Sequence, residues 1–497
     1  MLSNRHTGAR LLGLALLLLA AVAMSACSRS EQAPPTATAG PAEPVSADAL
    51  ALAGPWEGKI LIAGAGLEIQ IALTAQDDGW SGTIAVPAQG ATGIELHDIR
   101  VGPDTLYLEM LSGASKATFD GQMQPDGSIS GVFKQSGITG SFELARPQEP
   151  AAAEPLPYRE EEITFQNGDV TLAGTLTLPA GDGPFPALIL LSGSGQQDRD
   201  EALPTVPDYK PFREIADTLT QQGVAVLRYD DRDVSGSTGD LAAATSADFA
   251  DDAEAALRYL QGRTDIDGQQ IGMMGHSEGG ILAAMVAARN PDVSFVISMA
   301  GTAVDGYQTI LKQVERLALA SGVSQTEADI AVVQQREVLE LAMNQDWTGL
   351  ETTLNQIAQD QAAAMTDEQR AALGDVGALV KQQIAAQLQI FQSPWYQFFL
   401  RHDPGQDWTQ VTVPVLGIFG ARDTQVDAEQ NSAALQAALD QAGNSVVTIT
   451  VLPAANHLFQ EAGTGGVDEY AALPPQLMPE FLEALSQWLL ERVQAPS

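Results

Sequence analysis

Ile271-Gly272-Met273-Met274-Gly275-His276-Ser277-Glu278-Gly279-Gly280-Ile281-Leu282-Ala283-Ala284 is the stretch that decides the fold. Its first residues form a short apolar run with strand character, its last carry helical spacing, and Gly275-His276-Ser277-Glu278-Gly279 sits at the junction. A chain that leaves a strand and enters a helix within so few residues must turn sharply, and the flanking glycines leave room for strained backbone around the serine. Such a turn lifts a serine hydroxyl out of the end of a sheet, the geometry of a nucleophile elbow. The five-residue pattern alone is weak, because 46 of the 497 residues are glycine. The strand before it and the helix after it carry the reading.

Outward from the elbow, strands and helices alternate. Residues 163–178 read as a hairpin of two strands around Asn167-Gly168, and 187–191, 224–229, 271–275, 295–300, 415–419 and 446–452 read as buried strands. Helical stretches lie between them, which implies an α/β fold with a mostly parallel, doubly wound sheet. Between Gly301 and Val413 lies a Gln- and Ala-rich helical stretch too long for an ordinary crossover, and it reads as a helical cap inserted at 302–408. Tyr307, Ile310, Leu311, Val314 and Leu317 keep helical spacing and mark its first, amphipathic helix. The core is then 159–301 plus 409–497.

Upstream the pattern changes. Over 54–146 short runs alternate apolar and polar residues, as in Leu67, Ile69, Ile71 and Leu73 with Glu68, Gln70 and Ala72 between them. Turn signals at Asp77-Asp78-Gly79, Pro103-Asp104 and Pro125-Asp126-Gly127 separate them, so this module is expected to be an all-β sandwich or barrel. Trp56 and Trp80 open two similar units and are assigned to its core rather than to a ligand platform. Order is expected to begin near Trp56. Pro- and Ala-rich linkers, 28–53 and 147–158, flank the module.

Acyl transfer by a serine needs a base within reach, a carboxylate to orient it and donors for the developing oxyanion. Five histidines limit the choice of base. His6 is near the N-terminus, His97 in the β module and His402 in the cap, while His276 adjoins the serine, where its ring is expected to point elsewhere. His457, in the loop after the last strand, is the candidate base. The candidate acid is Asp423, in the turn after the 415–419 strand; Asp427 is the nearby competitor and suits a helix N-terminal carboxylate equally well. The order Ser277, Asp423, His457 is the order an α/β-hydrolase requires. For the oxyanion, the backbone N–H of Glu278 is one candidate donor and that of Ser194 the second, with Gly193 or Gly195 as alternatives in the loop Ser192-Gly193-Ser194-Gly195-Gln196. A plain tight turn is the alternative for this loop. In the cap, Trp395, Tyr396 and Phe399 are candidates for an acyl pocket wall, with packing of cap on body as the equal alternative. No phosphate loop, His-Glu-x-x-His pair or cysteine cluster is present, so no cofactor and no metal is expected.

Twenty-five basic and 63 acidic residues give a net charge of −38, which repels phosphate backbones and argues against a nucleic-acid partner. At the N-terminus Arg5 and Arg10 precede an apolar run over 11–23, too short to span a bilayer comfortably, so residues 1–27 read as an export signal. Met24-Ser25-Ala26-Cys27 resembles a bacterial lipobox, although Met24 departs from the usual leucine. Cys27, the sole cysteine, would be the lipidated residue and the membrane attachment; cleavage after Ala26 without lipidation is the alternative. That resemblance, with Ser28 after the cysteine, implies a periplasm-facing lipoprotein of the outer membrane.

Five motifs together, Leu191-Ser192-Gly193-Ser194-Gly195-Gln196-Gln197-Asp198-Arg199-Asp200, Leu227-Arg228-Tyr229-Asp230-Asp231-Arg232, Gly275-His276-Ser277-Glu278-Gly279-Gly280, Ser393-Pro394-Trp395-Tyr396 and Asn456-His457-Leu458-Phe459, carry a family resemblance. Over about residues 160 to 490 the chain resembles the capped bacterial α/β-hydrolase esterases, also described as serine-aminopeptidase-like or acyl-esterase-like. The resemblance implies ester hydrolysis of a small-molecule acyl substrate, with peptide or thioester cleavage as alternatives on the same triad. Arg232-Asp233-Val234-Ser235 replaces the family's Arg-Gly-Val-Gly, which leaves that loop's backbone open, and Asp233 is expected in solvent. Arg228 and Asp230 are read as a structural ion pair beside the elbow. The reading from another class is a binding protein in which the β module acts and the hydrolase body is a degenerate scaffold; an intact Ser277, Asp423 and His457 set counts against it.

Overall fold

The computed structural model describes residues 52–147 and 156–493, apart from 63–64, 77–78, 87–90, 113–114, 136–137, 368–369 and 371–375. Cys27, the export signal and most of both linkers lie outside the described residues. The chain divides into two compact units, and no helix among the described residues is long and apolar enough to cross a membrane.

The first unit is a closed barrel of eight antiparallel strands in sequence order, β1 (Gly54–Ile62) to β8 (Ile138–Ala145), with β1 pairing back onto β8. Strand alternation decides what lies inside. Ile69, Ile71 and Leu73 of β2 (Ala65–Gln76) are buried while Glu68, Gln70 and Ala72 face out. The interior is filled by side chains, with Phe119 packed against Phe133 and Phe142 at centroid distances of 5.1 and 5.3 Å. Described structure begins at Leu52, whose carbonyl accepts the indole N–H of buried Trp56 at 3.0 Å.

The second unit carries an eight-stranded sheet built from β9 (Arg159–Asn167), β10 (Val170–Leu178), β11 (Phe185–Leu191), β12 (Ala225–Tyr229), β13 (Ile266–His276), β14 (Val296–Met299), β15 (Val415–Gly420) and β16 (Val447–Leu452). The spatial order is β9-β10-β12-β11-β13-β14-β15-β16, and only β10 runs against the rest. This is the α/β-hydrolase fold. The β11 sequence shows why its strands read as continuous apolar runs: Ala187, Ile189 and Leu191 enter the core on one face and Leu188 and Leu190 the core on the other. Helices α1 (Pro211–Thr220), α2 (Ser246–Gln261), α3 (Glu278–Arg289), α10 (Ala428–Gln441) and α11 (Pro479–Leu490) cover the two faces. The sequence reading of 446–452 as a buried strand needs correction: β16 is the sheet edge, paired on one side only, and Val451 is 43% exposed.

Among the described residues, five cap helices follow β14: α4 (Gly306–Ala320), α5 (Gln325–Met343), α6 (Trp347–Ala364), α7 (Val376–Gln392) and α8 (Pro394–Arg401). They enclose a core of their own around Leu339, Leu350, Phe391 and Leu400. The short α9 (Pro404–Trp408) belongs to the body, because Trp408 is fully buried in the core under the sheet.

The turn from β13 into α3 is packed backbone against backbone. A Cβ on Gly275 would lie 1.9 Å from the Gly279 carbonyl oxygen, and one on Gly279 would lie 2.2 Å from that of Leu191. Both neighbours are backbone, so a methyl group has nowhere to go without moving the helix. Gly279→Ala is expected to cost at least about 1–3 kcal/mol, measured as a lowered urea midpoint relative to wild type.

Candidate active site

Ser277 takes φ 52° and ψ −116°, a left-handed conformation that a side chain rarely adopts. Its amide donates to the Met299 carbonyl at 2.9 Å, and its own carbonyl accepts from Gly280 at 3.1 Å. These bonds pin the turn at the C-terminal ends of β13 and β14, where ligands bind in open parallel sheets. The strain is stored at the candidate nucleophile.

Asp423 and His457 meet across the same edge. Asp423 Oδ2 lies 2.8 Å from His457 Nδ1, and Oδ1 accepts the amides of Gln425 and Val426 at 2.7 and 2.8 Å. Both side chains are buried, so this acid holds one His457 tautomer with its remaining acceptor capacity used by the main chain. Asp427 does something else. It caps α10 by accepting from the Gln430 amide at 2.8 Å and pairs with Arg316 of the cap. The loop carrying His457 is shaped by buried Asn456, whose Oδ1 accepts the amides of Leu458 and Gln460 at 3.0 and 2.9 Å, and by the Tyr209 hydroxyl on the Leu458 carbonyl. No hydrogen bond joins Ser277 to the His457 ring in this structure, a contact that in serine hydrolases commonly tightens only in the substrate complex.

The loop after β11 is tied down residue by residue. The Ser192 hydroxyl donates to Asp231 at 2.8 Å, the Gly193 amide donates to Glu201 Oε1 at 2.7 Å, and the Ser194 hydroxyl contacts the Glu278 carboxyl. The Gly193 amide is therefore occupied. The Ser194, Gly195 and Glu278 amides have no acceptor among the described residues, so Glu278 and either Ser194 or Gly195 stay the candidate oxyanion donors.

Glu278 has a side-chain role that the sequence did not reveal. Its Oε1 accepts from the Ser246 hydroxyl at 2.5 Å and from the Trp395 indole at 2.8 Å, so the residue after Ser277 links α2, the loop after β11 and the cap. Trp395 stacks on Phe399 at 5.6 Å with 6° between planes, and Phe399 lies against Gly306. Tyr396 is placed differently: it is buried in the cap's own core against Phe391 at 5.1 Å, which assigns it to packing. Burial holds the Glu278 carboxyl above its ordinary range, against the opposing hydrogen bonds from Ser246, Trp395 and Ser194.

His276 and Glu201 were also missed. The ring of His276 does not turn away from the site but packs against that of His457 at 4.7 Å, with Nδ1 2.9 Å from Glu201 Oε1 and Nε2 3.0 Å from the His457 carbonyl oxygen. The only signal for this in the sequence was adjacency to Ser277, since Glu201 is 75 residues away. The expected Arg228–Asp230 pair is overturned. Two residues apart on one strand face they stay too far apart to bond, and each takes a partner from the segment after β11: Arg228 pairs with Asp200, and Arg199 with Asp230 at 2.7 Å. Asp233 and Ser235 keep left-handed backbone at φ 58° and 47°, so the loop retains glycine-like conformations without glycine, and Asp233 is exposed. Among the described residues no group of three or more His, Cys, Asp or Glu is placed to hold a metal ion.

A carboxyl that holds its proton more tightly when folded leaves the unfolded chain with fewer protons between its two pKa values, so its contribution makes stability fall as pH rises across that window. Glu278→Gln keeps an acceptor oxygen for Trp395 and Ser246 and removes the titration. The variant is expected to gain stability relative to wild type as pH climbs from 4.5, the ordinary value of the group, into the neutral range. Paired urea midpoints across that range measure it; a constant difference would mean that Glu278 ionises as it does in water.

Residues similar to known proteins cover this same body. The chain is 28% identical to esterase EstD of Thermotoga maritima over 340 residues, 68% of each chain. A structure of an esterase from Pyrococcus furiosus covers 70% of this chain and 97% of its own length at a TM-score of 0.43 and 14% identity. Dienelactone hydrolase from Anabaena variabilis covers 68% of this chain and all of its own at a TM-score of 0.36 and 17% identity. The profile of the X-Pro dipeptidyl-peptidase (S15) family matches residues 167–458, from the first hairpin of the sheet to the residue after His457. That span is more than half of the chain, and the protein belongs to this hydrolase family.

Proposed function

We propose that the protein is a serine hydrolase that cleaves carboxylic esters of small or medium acyl groups through a covalent acyl-enzyme. The observation that carries the proposal is the buried Asp423–His457 pair on the same sheet edge as the strained Ser277 turn. Ser277 Oγ attacks the ester carbonyl while His457 Nε2 takes the hydroxyl proton. Asp423 keeps the His457 Nδ1 proton in place and stabilises the imidazolium without becoming protonated. The oxyanion is held by the amides of Glu278, at the N-terminus of α3, and Ser194. His457 then returns its proton to the leaving alkoxide, the alcohol departs, and a water activated by the same ring releases the acid. Trp395 and Phe399 form the aromatic face of the cap nearest Glu278 and are the proposed wall for the acyl group.

The similarity to an enzyme called an esterase over two thirds of both chains favours an ester substrate. The family match favours a second reading, cleavage of a peptide after proline by the same residues. Fluorophosphonate labelling, followed by turnover of p-nitrophenyl esters, acyl thioesters and X-Pro p-nitroanilides, separates the two. Ser277→Ala is expected to lose labelling and to abolish turnover of p-nitrophenyl butyrate with an unchanged urea midpoint, and equal rates for variant and wild type would end the proposal.

The protein is further proposed to face the periplasm on a lipid attached to Cys27, on the strength of its resemblance to a lipobox. Cys27→Ser is expected to move the protein from the membrane fraction to the soluble fraction of the exporting cell.

A further inference from the structure

His276 presents both ring nitrogens to oxygen atoms. One is the His457 main-chain carbonyl, which only accepts, so Nε2 carries a proton. The other is Glu201 Oε1, which also accepts the Gly193 amide, while Oε2 has no partner among the described residues. A single carboxylate oxygen thus holds the loop after β11 and the imidazole together. All of Glu201, His276 and His457 are at least 95% buried. Glu201 reaches this position from left-handed backbone at φ 52°, a conformation costly for any residue but glycine. Gly193 itself lies against the elbow: a Cβ placed on it would be 3.4 Å from Ser277 Cβ and 3.3 Å from Glu201 Oε1.

We propose that Glu201 and His276 form a positioning pair that clamps the oxyanion loop, the elbow and the loop of the base into one unit. The inference rests on Ser277 acting as the nucleophile. Neither residue of the pair touches the reacting atoms. Glu201 fixes Gly193 beside Ser277 and so sets where the next amide, Ser194, points. His276, part of the elbow, fixes the His457 main chain, and with it the reach of the ring toward Ser277. Buried ion pairs are a poor means of stabilising a fold, and an apolar pair of similar volume could pack this region as well. What the polar pair adds is direction.

The pair is also an ion pair. Burial opposes the imidazolium, but the Glu201 carboxylate outweighs it, and with the His457 carbonyl and the Asp423 charge it holds the His276 pKa above its ordinary range. The groups facing the ring are Glu201, His457 and Asp423.

Three variants of the full chain divide these roles. His276→Asn keeps a donor for Glu201 and loses the His457 carbonyl, His276→Gln does the reverse, and Glu201→Gln keeps an acceptor for Gly193 while removing the charge. With p-nitrophenyl butyrate, His276→Asn and Glu201→Gln are expected to lower kcat by about 10- to 100-fold per fluorophosphonate-titrated site, with KM changed by less than about threefold. Unchanged kcat, or a loss that disappears on titration of active sites, would overturn the proposal. The Ser277→Ala control separates failures: turnover by that variant ends the nucleophile reading, whereas a dead Ser277→Ala beside a fully active His276→Asn ends only the positioning role. If the variants do not fold, nitrogen-15 spectra of the histidines in the wild-type protein carry the test. One ring should keep both protons to a higher pH than an ordinary histidine does, and the absence of such a ring would overturn the pair.

Discussion

The contact on which the site depends is the approach of α3 to the sheet, where Gly275 and Gly279 allow backbone to meet backbone. With a side chain at either position the helix would stand off from β11 and β13, and the turn between them could open. Because it cannot, Ser277 is held in a left-handed conformation and its hydroxyl stands clear of the strand end. The same closeness puts the Glu278 amide at the start of the helix, with its positive dipole end, beside the loop after β11. One steric constraint therefore supplies both the position of the proposed nucleophile and half of its oxyanion site.

Around that turn, buried carboxylates divide the remaining work by what each finds to bond. Asp423 takes one imidazole and two amides, Asp427 caps a helix and receives Arg316 from the cap, and Asp231 and Glu201 anchor opposite sides of the loop after β11. Glu278 receives hydroxyls and an indole, with no cation among its hydrogen-bond donors, and this is why burial raises its pKa. A chain with a net charge of −38 holds acidic groups close to its site only where each has specific donors. The cap joins this system at two points, Trp395 on Glu278 and Arg316 on Asp427, so any movement of the cap relative to the body acts directly on the residue after Ser277 and on the start of α10.

Periodicity was legible where the environment of a strand was uniform. The β11 and β13 runs are apolar on both faces because both are covered, and the barrel strands alternate because one face meets water. The reading failed at β16 for the converse reason, since an edge strand can be rich in β-branched residues while open on one side. The candidates Ser277, Asp423 and His457 could be picked from the sequence because each follows a strand in a fixed order. Arg228 was given the wrong partner because short-range spacing does not tell which way a side chain finds its partner.

The sequence by itself determined the kind of protein: alternating strands and helices around a glycine-flanked serine, an acid and a histidine in order, and a separate β module with its own period. These are local signals, carried by neighbours along the chain. Tertiary structure alone decided that Glu278 binds the cap and that His276 bridges Glu201 to the main chain of His457. Those contacts join residues 75, 117 and 181 positions apart. No periodicity spans such distances, and hydrogen-bond direction is set only when the sheet brings the loops to one edge.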